Sequence, residues 1–548
     1  MLKGIRNLIR FQQITGTLVR FGFGELLGRL NLLRYLKKEL PPEQLRATRA
    51  VRFRLMLESL GTTFIKLGQI LSTRPDVLPP DIVAELANLQ DAVTPIPWEL
   101  MSVQLDNDTG RLIRQDFVVL ETTPIASASI AQVYAGTLRT GEKLALKIIR
   151  PGIDKVIRED LQILEVIGKL VKKHVSEANE WDVDSIIEQF RVSIRRELDL
   201  QHEGRNADIF RRNFAHDPAV TVPRIYWDYT NRQILAMEYI DGRRLQEFFD
   251  PAIPLETRRA LAETGAHAVL RQIFEHGFFQ ADPHPGNALV MPGNVICFLD
   301  FGMFGRLDNL SQEALGMALQ AIVKKDVERL LKSARELGIL YHTIPGHDIR
   351  TELFDLLEQY HGRPLRQISM PNLVRDILSL IARHRLRVRP DFIFLLKALA
   401  TVEATGRKLD PDFDIISHIA PFVRRMLLQR FAPSAIWANG VDFVEDVYRL
   451  GREAPEHVLE ILRSLRTGQQ KLDLNLLGFD QSLQELNKVI DKAVVGVLIG
   501  LVTVASSIMA HAQIGPKLFD IPLIGGVMFL IAGVTGIWYI FDLLNRRK

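Results

Sequence analysis

The chain is nearly free of cysteine: Cys297 is the only one in 548 residues. A single thiol excludes an intramolecular disulfide framework and any zinc cluster built on cysteines, and it suits a reducing, cytoplasmic compartment. Lying in the apolar run Val295-Ile296-Cys297-Phe298-Leu299, it reads as a small buried hydrophobe. Net charge is also small, +4 over the whole chain, and no nucleic-acid partner is expected. No signal peptide is expected either, because the first forty residues hold no uninterrupted apolar core of secretory length and no cleavage site follows. What those residues do hold is basic charge. Within residues 1–38, Lys3, Arg6, Arg10, Arg20, Arg29, Arg34, Lys37 and Lys38 stand against Glu25 alone, interleaved with Leu2, Ile5, Leu8, Ile9, Phe11, Leu18 and Phe21. Over residues 1–40 this pattern suits either a basic amphipathic helix on an anionic membrane surface or helices packed on the neighbouring domain.

At this length one ordinary core does not suffice, and the chain divides into several units. Residues 41–115 form a helical extension, with Leu55, Leu57, Leu60, Phe64, Leu67 and Ile70 at three- and four-residue spacing. Strand-like runs follow at Phe117–Leu120, Gln132–Ala135 and Lys143–Ile149. Helical patterns cover Gly152 to His174 and Val183 to Asn206, and a strand at Gln233–Met237 runs into Glu238-Tyr239-Ile240-Asp241-Gly242. That order describes the small lobe (116–242) of a protein-kinase-like fold; a helix Leu255–His276, a loop, a hairpin and a helical remainder make the large lobe (243–431). The fold class is α+β and bilobal. Beyond a helical linker (432–490), the segment 491–548 holds two uncharged runs, Ala493–Ala510 and Ile521–Phe541. Each is about long enough to cross a ~30 Å hydrocarbon core, and Gly496-x-x-x-Gly500 and Ala532-x-x-x-Gly536 would let them approach closely. Lys488 and Lys492 on one flank and Arg546, Arg547 and Lys548 on the other place both ends in the cytoplasm. A two-helix transmembrane hairpin in the cell inner membrane is the expectation, with the catalytic domain on the cytoplasmic side.

The chemistry is carried by Lys147 in Leu144-Ala145-Leu146-Lys147, Glu203, the stretch Asp282 to Asn287, and Asp300-Phe301-Gly302, in the order a nucleotide phosphotransfer site requires. A triphosphate needs a fixed cation on its phosphates, an acid to hold that cation, and oxygen ligands for Mg²⁺. ATP and Mg²⁺ are the expected cofactors. Ala288-Leu289-Val290 and Val295–Leu299 flank the turn Met291-Pro292-Gly293-Asn294. This predicts a hairpin with Asn287 at one base and Asp300 at the other, two oxygen ligands meeting at one metal. The usual glycine-rich phosphate loop is missing: between Leu120 and Val133 the turn reads Pro124-Ile125-Ala126-Ser127-Ala128-Ser129-Ile130-Ala131. Alanine and serine keep backbone N–H groups but lose access to positive φ, so the loop is stiffer, and the Ser127 and Ser129 hydroxyls add donors for phosphate. Glu197 and Glu203 stand six apart on what reads as one helix, too far to be (i, i+4) neighbours. Glu203 is therefore the candidate partner of Lys147, and Glu197 that of Lys66 from the extension.

Lys66-x-Gly68-Gln69, Ala126 to Ala131, Glu197-x-Asp199, Ala281-Asp282-Pro283-His284-Pro285-Gly286-Asn287 and Asp300-Phe301-Gly302 together resemble the UbiB family of atypical kinase-like proteins. Leu89-Gln90-Asp91 and Glu403-Ala404-x-Gly406 up to Leu409-Asp410-Pro411 fit it too, so the resemblance runs from about residue 50 to about residue 415. It implies ATP binding and ATPase activity in support of isoprenoid quinone (ubiquinone) biosynthesis, acting on a lipid or on the biosynthetic complex. The implied partners are membrane lipid and quinone-biosynthesis proteins or quinone precursors, with a homodimer left open. By the same resemblance Lys147 contacts the phosphates, Glu203 orients it, Asp282 is the catalytic-loop acid, and Asn287 and Asp300 hold Mg²⁺. Lys66 and Gln69 enter the site with Glu197 and Asp199. Ala126, Ser127, Ala128, Ser129, Ile130, Ala131 and Val133 cover the nucleotide, and Met237 to Tyr239, with Glu238, form an adenine hinge through backbone groups. Gln280 departs from the family's more frequent histidine, which puts the hydrogen bond bracing the catalytic loop in question. No Ala-Pro-Glu stands close after Asp300, since Ala454-Pro455-Glu456 comes only 154 positions later, so a peptide-binding activation segment is not supported. His284, set between two prolines, reads as structural to its loop and not as a metal ligand. Two other readings remain open: a true protein kinase, and a non-catalytic nucleotide-binding pseudokinase scaffold.

Overall fold

The structure is a computed structural model that describes residues 2–29, 47–72, 78–86, 93–174, 183–339, 347–360, 370–384 and 388–429, besides a few isolated residues and short stretches up to 535. The chain separates into two compact units, Met1–Trp437 and Ala438–Lys548.

In the first unit, β1 (Phe117–Leu120), β2 (Ala126–Ser127), β3 (Ala131–Leu138), β4 (Lys143–Ile149), β5 (Val220–Thr221) and β6 (Ile234–Glu238) follow in chain order. All but β5 build one antiparallel sheet, ordered β1-β3-β4-β6 with β2 on β3. Strand alternation decides where the chemistry lands. Leu144, Leu146, Ile148, Ile234 and Ala236 share a face with Tyr134, and there they meet Met101, Leu105 and Ile113 from the helical stretch 98–116. That stretch thus covers the outer face of the small lobe, although most of it falls within the bounds expected for the extension, 41–115. Ala145 and Ile149 point to the opposite face, into the main core with Leu235, Met237, Phe210 and Leu200. Lys147 falls between them by the same two-residue period, facing the helix Leu200–Asn213.

The expected helix over Val183–Asn206 is two helices, Val183–Glu197 and Leu200–Asn213. The break is made by Asp199, which adopts extended backbone (φ −116°, ψ 91°) and accepts from Gln201 N–H at 3.1 Å as an N-cap. Glu197 and Glu203 therefore stand on different helices with different directions, a firmer reason for their separate partners than six-residue spacing on one. Gly204 brings the second helix close to the sheet: a Cβ there would lie 3.1 Å from both Leu235 and Trp227.

In the large lobe, β7 (Arg243–Arg244), β8 (Phe278–Gln280), β9 (Ala288–Met291), β10 (Val295–Phe298) and β11 (Phe304–Arg306) follow. β9 and β10 form the predicted hairpin, flanked by β7 and, in parallel, by β5. β11 pairs with β8. Behind them the helix Leu255–Phe274 buries one face from Leu261 onward, among the core residues contributed by the helix Pro390–Leu409.

The helix Leu2–Arg20 has neighbours within the chain. Ile14, Phe21 and Phe23 join Met56, Leu57, Leu60, Phe64, Leu86 and Ile163 in a separate core, which is the packed alternative for this segment. Arg10 pairs with fully buried Asp160 at 2.8 and 3.1 Å, while Leu8 and Ile9 stay exposed. Residues 30–40 of the basic segment lie outside the described residues.

The described residues of the second unit include a short antiparallel pair, β12 (Lys517–Leu518) with β13 (Ile521–Pro522). The second apolar run is therefore extended, not helical, at its first two residues. Most of both expected spanning runs lies outside the described residues, and among the described residues no helix is long and apolar enough to cross a membrane.

Candidate active site

Lys147 Nζ donates to both oxygens of Glu203, at 2.6 and 2.8 Å. Burial opposes the Lys147 ammonium most strongly, but the carboxylates of Glu203 and Asp300 outweigh it and hold its pKa above the ordinary lysine value. Lys66 pulls the other way, as a second cation in the same field does. Burial pushes the Glu203 carboxyl up, against the attraction of Lys147, and Asp300 adds to the push.

Asp300 stands where the hairpin predicts. Asn287 Nδ2 donates to Asp300 Oδ2 at 3.1 Å, and Leu299 N–H to the Asn287 carbonyl at 2.9 Å. Asp300 Oδ1 takes the Gly302 N–H at 3.0 Å. Phe301 is buried edge-on to Phe210, and its carbonyl accepts from Asn206 at 3.0 Å, which joins Asp-Phe-Gly to the helix carrying Glu203. With Nδ2 committed to Asp300, Asn287 has its Oδ1 to offer a cation. One carboxylate and one amide oxygen make an all-oxygen donor set that suits a hard divalent ion whose other ligands are phosphate and water. Gln280 supplies the brace that its departure from histidine left in question. Its N–H donates to Gln272 Oε1 at 2.9 Å, and its Nε2 to the Asp300 carbonyl. His284 Nδ1 accepts from Gly286 N–H at 3.1 Å, the loop role expected of it. Cys297 is buried, as expected, and burial pushes its thiol up to about 12.

Lys66 lies 3.3 Å from Glu197, each side chain largely shielded. Gly68 makes that placement feasible: a Cβ there would lie 2.4 Å from Leu89 and 2.8 Å from Leu57, so the motif's glycine serves close helix packing. Gln69 is half-buried one turn further on, and its carbonyl accepts from Ser72. Asp199 is used as the helix cap described above, with Arg232 at 3.8 Å.

The alanine–serine loop is a tight turn, with Ala128 N–H donating to Ala131 O at 2.9 Å and Ala126 and Ser127 paired to Val133 and Gln132. Arg150 clamps it, donating to the Ala128 carbonyl at 3.1 Å and the Ser127 hydroxyl at 2.8 Å. From the extension, Thr62 Oγ1 donates to the Ser129 carbonyl at 3.0 Å. Ser129 and Ile130 are buried while Ser127 is partly exposed, so of the two serines Ser127 is the more accessible. At the hinge, Glu238 N–H already donates to Arg224 O and Tyr239 N–H to Lys143 O. Those two donors are spent within the protein, and the expected adenine contacts fall to carbonyls and to the residues after Tyr239.

Asp282 has a partner that sequence reasoning missed: Lys397, whose Nζ lies 3.0 Å from Oδ2. Its only signal is a lone charge in the apolar stretch Phe392-Ile393-Phe394-Leu395-Leu396-Lys397-Ala398-Leu399. Arg150 and Thr62 carried no signal at all, since the loop groups they reach, two carbonyls and the Ser127 hydroxyl, are brought near only by the fold.

Three family models match the chain: an ABC1 atypical kinase-like domain over residues 88–334, a UbiB helical domain over 353–414, and an ABC1/UbiB kinase-like C-terminal domain over 477–545. Among similar curated proteins, a "Probable protein kinase UbiB" of Pseudomonas aeruginosa is 34% identical over 473 residues, covering 83% of this chain and 87% of that one. Its namesake in Marinobacter nauticus is 33% identical over 505 residues, covering 90% and 91%. An uncharacterized protein of a Synechocystis species is 35% identical over 394 residues, 72% of this chain and 67% of its own.

Proposed function

The chain belongs to the UbiB family of atypical kinase-like proteins, and we propose that it binds Mg-ATP and hydrolyses it, or transfers its phosphoryl group, in support of isoprenoid quinone (ubiquinone) biosynthesis. The observation that carries the reading is the convergence of Lys147–Glu203 with Asn287–Asp300, the two pairings that a kinase-type centre needs in place together. Lys147 would hold the phosphates, kept charged and oriented by Glu203. Asp282, its side chain 45% exposed, would orient the acceptor and take its proton. Mg²⁺, when bound, neutralises charge on the phosphates. The stiff loop clamped by Arg150 would cover them.

The acceptor favoured is water, a lipid or the biosynthetic complex, not an extended peptide. Lys66 enters from the extension to meet Glu197, and no Ala-Pro-Glu stands close enough after Asp300 to close a peptide platform. The uncharged runs of 491–548 would anchor the protein in the cytoplasmic membrane with the catalytic unit inside. ATP hydrolysis measured with and without anionic lipid vesicles, beside Asp282→Asn, tests the reading. Turnover that rises with vesicles and is lost in Asp282→Asn supports it. Transfer to peptides unaffected by vesicles points to a protein kinase, and nucleotide binding without turnover to a scaffold.

A further inference from the structure

The loop Asp282–Asn287 reads Asp-Pro-His-Pro-Gly-Asn and contains no lysine or arginine. Its imidazole is turned back into the loop, with His284 Nδ1 accepting from Gly286 N–H. The cation at the catalytic-loop acid comes instead from 115 residues further along the chain, where Lys397 Nζ reaches Asp282 Oδ2 at 3.0 Å. Lys397 projects from the helix Pro390–Leu409, which buries Phe392, Ile393, Leu395, Leu396, Ala398 and Leu399 around it. That helix is anchored on both sides of the lysine. Asp391 accepts from the backbone N–H of Arg306 at 3.0 Å, just past Asp-Phe-Gly. Buried Glu403 accepts from Met370 N–H at 2.6 Å and from Arg407 at 2.7 Å. An ammonium on so constrained a support is placed by the scaffold, not by a mobile loop.

We propose that Lys397 is a positioning residue of the phosphoryl-transfer centre, so that the helical domain contributes directly to the active site. The inference rests on the phosphotransfer reading above. In the reaction, the acceptor oxygen forms a bond to the γ-phosphorus as the bond from that phosphorus to the β–γ bridging oxygen breaks. The electron pair of the broken bond leaves with ADP, and the acceptor's proton passes to Asp282 and then to solvent. With water as acceptor, the products are ADP and phosphate. Asp282 can direct an acceptor only if its carboxylate keeps one orientation, and a half-exposed aspartate has rotamer freedom to lose. Lys397 takes one oxygen and leaves the other for the acceptor.

The test is Mg-ATP hydrolysis by the full chain in the parent, Lys397→Met, Lys397→Arg and the surface control Lys332→Ala, with Mg-ADP affinity measured in parallel. Lys397→Met is expected to lower kcat roughly 10- to 100-fold with KM and ADP affinity little changed. Lys397→Arg recovers part of the rate, and Lys332→Ala matches the parent. Turnover in Lys397→Met equal to the parent's overturns this inference alone. Loss of ADP binding in both the methionine and arginine variants also overturns it, because the residue is then structural. A parent that binds Mg-ATP but never hydrolyses or transfers it overturns the phosphotransfer reading and this inference with it.

Discussion

Replacing Lys147 by methionine removes the ammonium that lies 2.6 and 2.8 Å from the Glu203 oxygens. Glu203 is 6% exposed, so the carboxylate left behind has little water to turn to, and Asp300 repels it. Deleting one partner of a buried ion pair costs about 3–5 kcal/mol. Because 22% of the Lys147 side chain is exposed, the low end applies, about 3 kcal/mol. At roughly 2–4 °C per kcal/mol for a unit of this size, the midpoint falls by ~6–12 °C. The loss depends on pH in a definite direction. Burial already raises the folded-state pKa of Glu203 above its ordinary value of 4.5, and losing Lys147 raises it further. A carboxyl so raised carries no penalty below its unfolded value, and the penalty grows as pH climbs toward the folded one. The deficit against the parent is therefore largest at pH 8 and narrows toward pH 5.5. Lys147 itself has a raised folded pKa; its contribution is fully present below the ordinary value of 10.5, so it stays constant across this window. Thermal unfolding of the parent, Lys147→Met and Lys147→Met/Glu203→Gln at each pH is the assay, and the double variant should regain most of the loss. A deficit that is flat with pH, or below ~1 kcal/mol where a buried pair is broken, refutes the reasoning.

ATP should raise the melting temperature of the parent in Mg²⁺ and much less in EDTA, and Asp300→Asn should shrink the difference; equal shifts in both conditions would remove the metal assignment. Lys66→Ala strands the shielded Glu197 carboxylate, and Ala128→Gly loosens the loop turn, so each should alter nucleotide affinity or autophosphorylation while Lys332→Ala does neither. If Lys66→Ala and Glu197→Ala both bind and turn over ATP like the parent, the extension is only packing. Removing residues 491–548 should move most of the protein from the membrane fraction to the soluble one; full retention at high salt would contradict the anchoring proposal.

The parts of the site legible in the sequence were those held by local periodicity. Alternation along β4 puts Lys147 on the inner face with Ala145 and Ile149, and the turn at Met291–Asn294 makes the hairpin whose bases are Asn287 and Asp300. The Lys66–Glu197 pair was a candidate from the spacing of the two glutamates as well as from family resemblance, and the 3.3 Å separation agrees with it. The helix break at Asp199 was not read, because Val183 to Asn206 carried one helical pattern and the cap shows only in the structure. Lys397 and Arg150 were not legible, because their partners lie across the fold and no spacing rule links positions 115 and 22 residues apart. β5 was missed for a similar reason: two residues pairing in parallel with β10 have no sequence signal of their own. The first helix left two readings open because one amphipathic face serves a membrane or a neighbouring core equally well.

The most direct measurement is a crystal structure of the catalytic unit with Mg²⁺ and a non-hydrolysable ATP analogue. The account predicts the metal on Asn287 Oδ1 and Asp300, the phosphates beneath the Ala126–Ala131 loop with Lys147 in contact, and the terminal phosphate beside the Asp282–Lys397 pair. A nucleotide bound elsewhere, or phosphates in this cleft with no metal on Asp300, would contradict it.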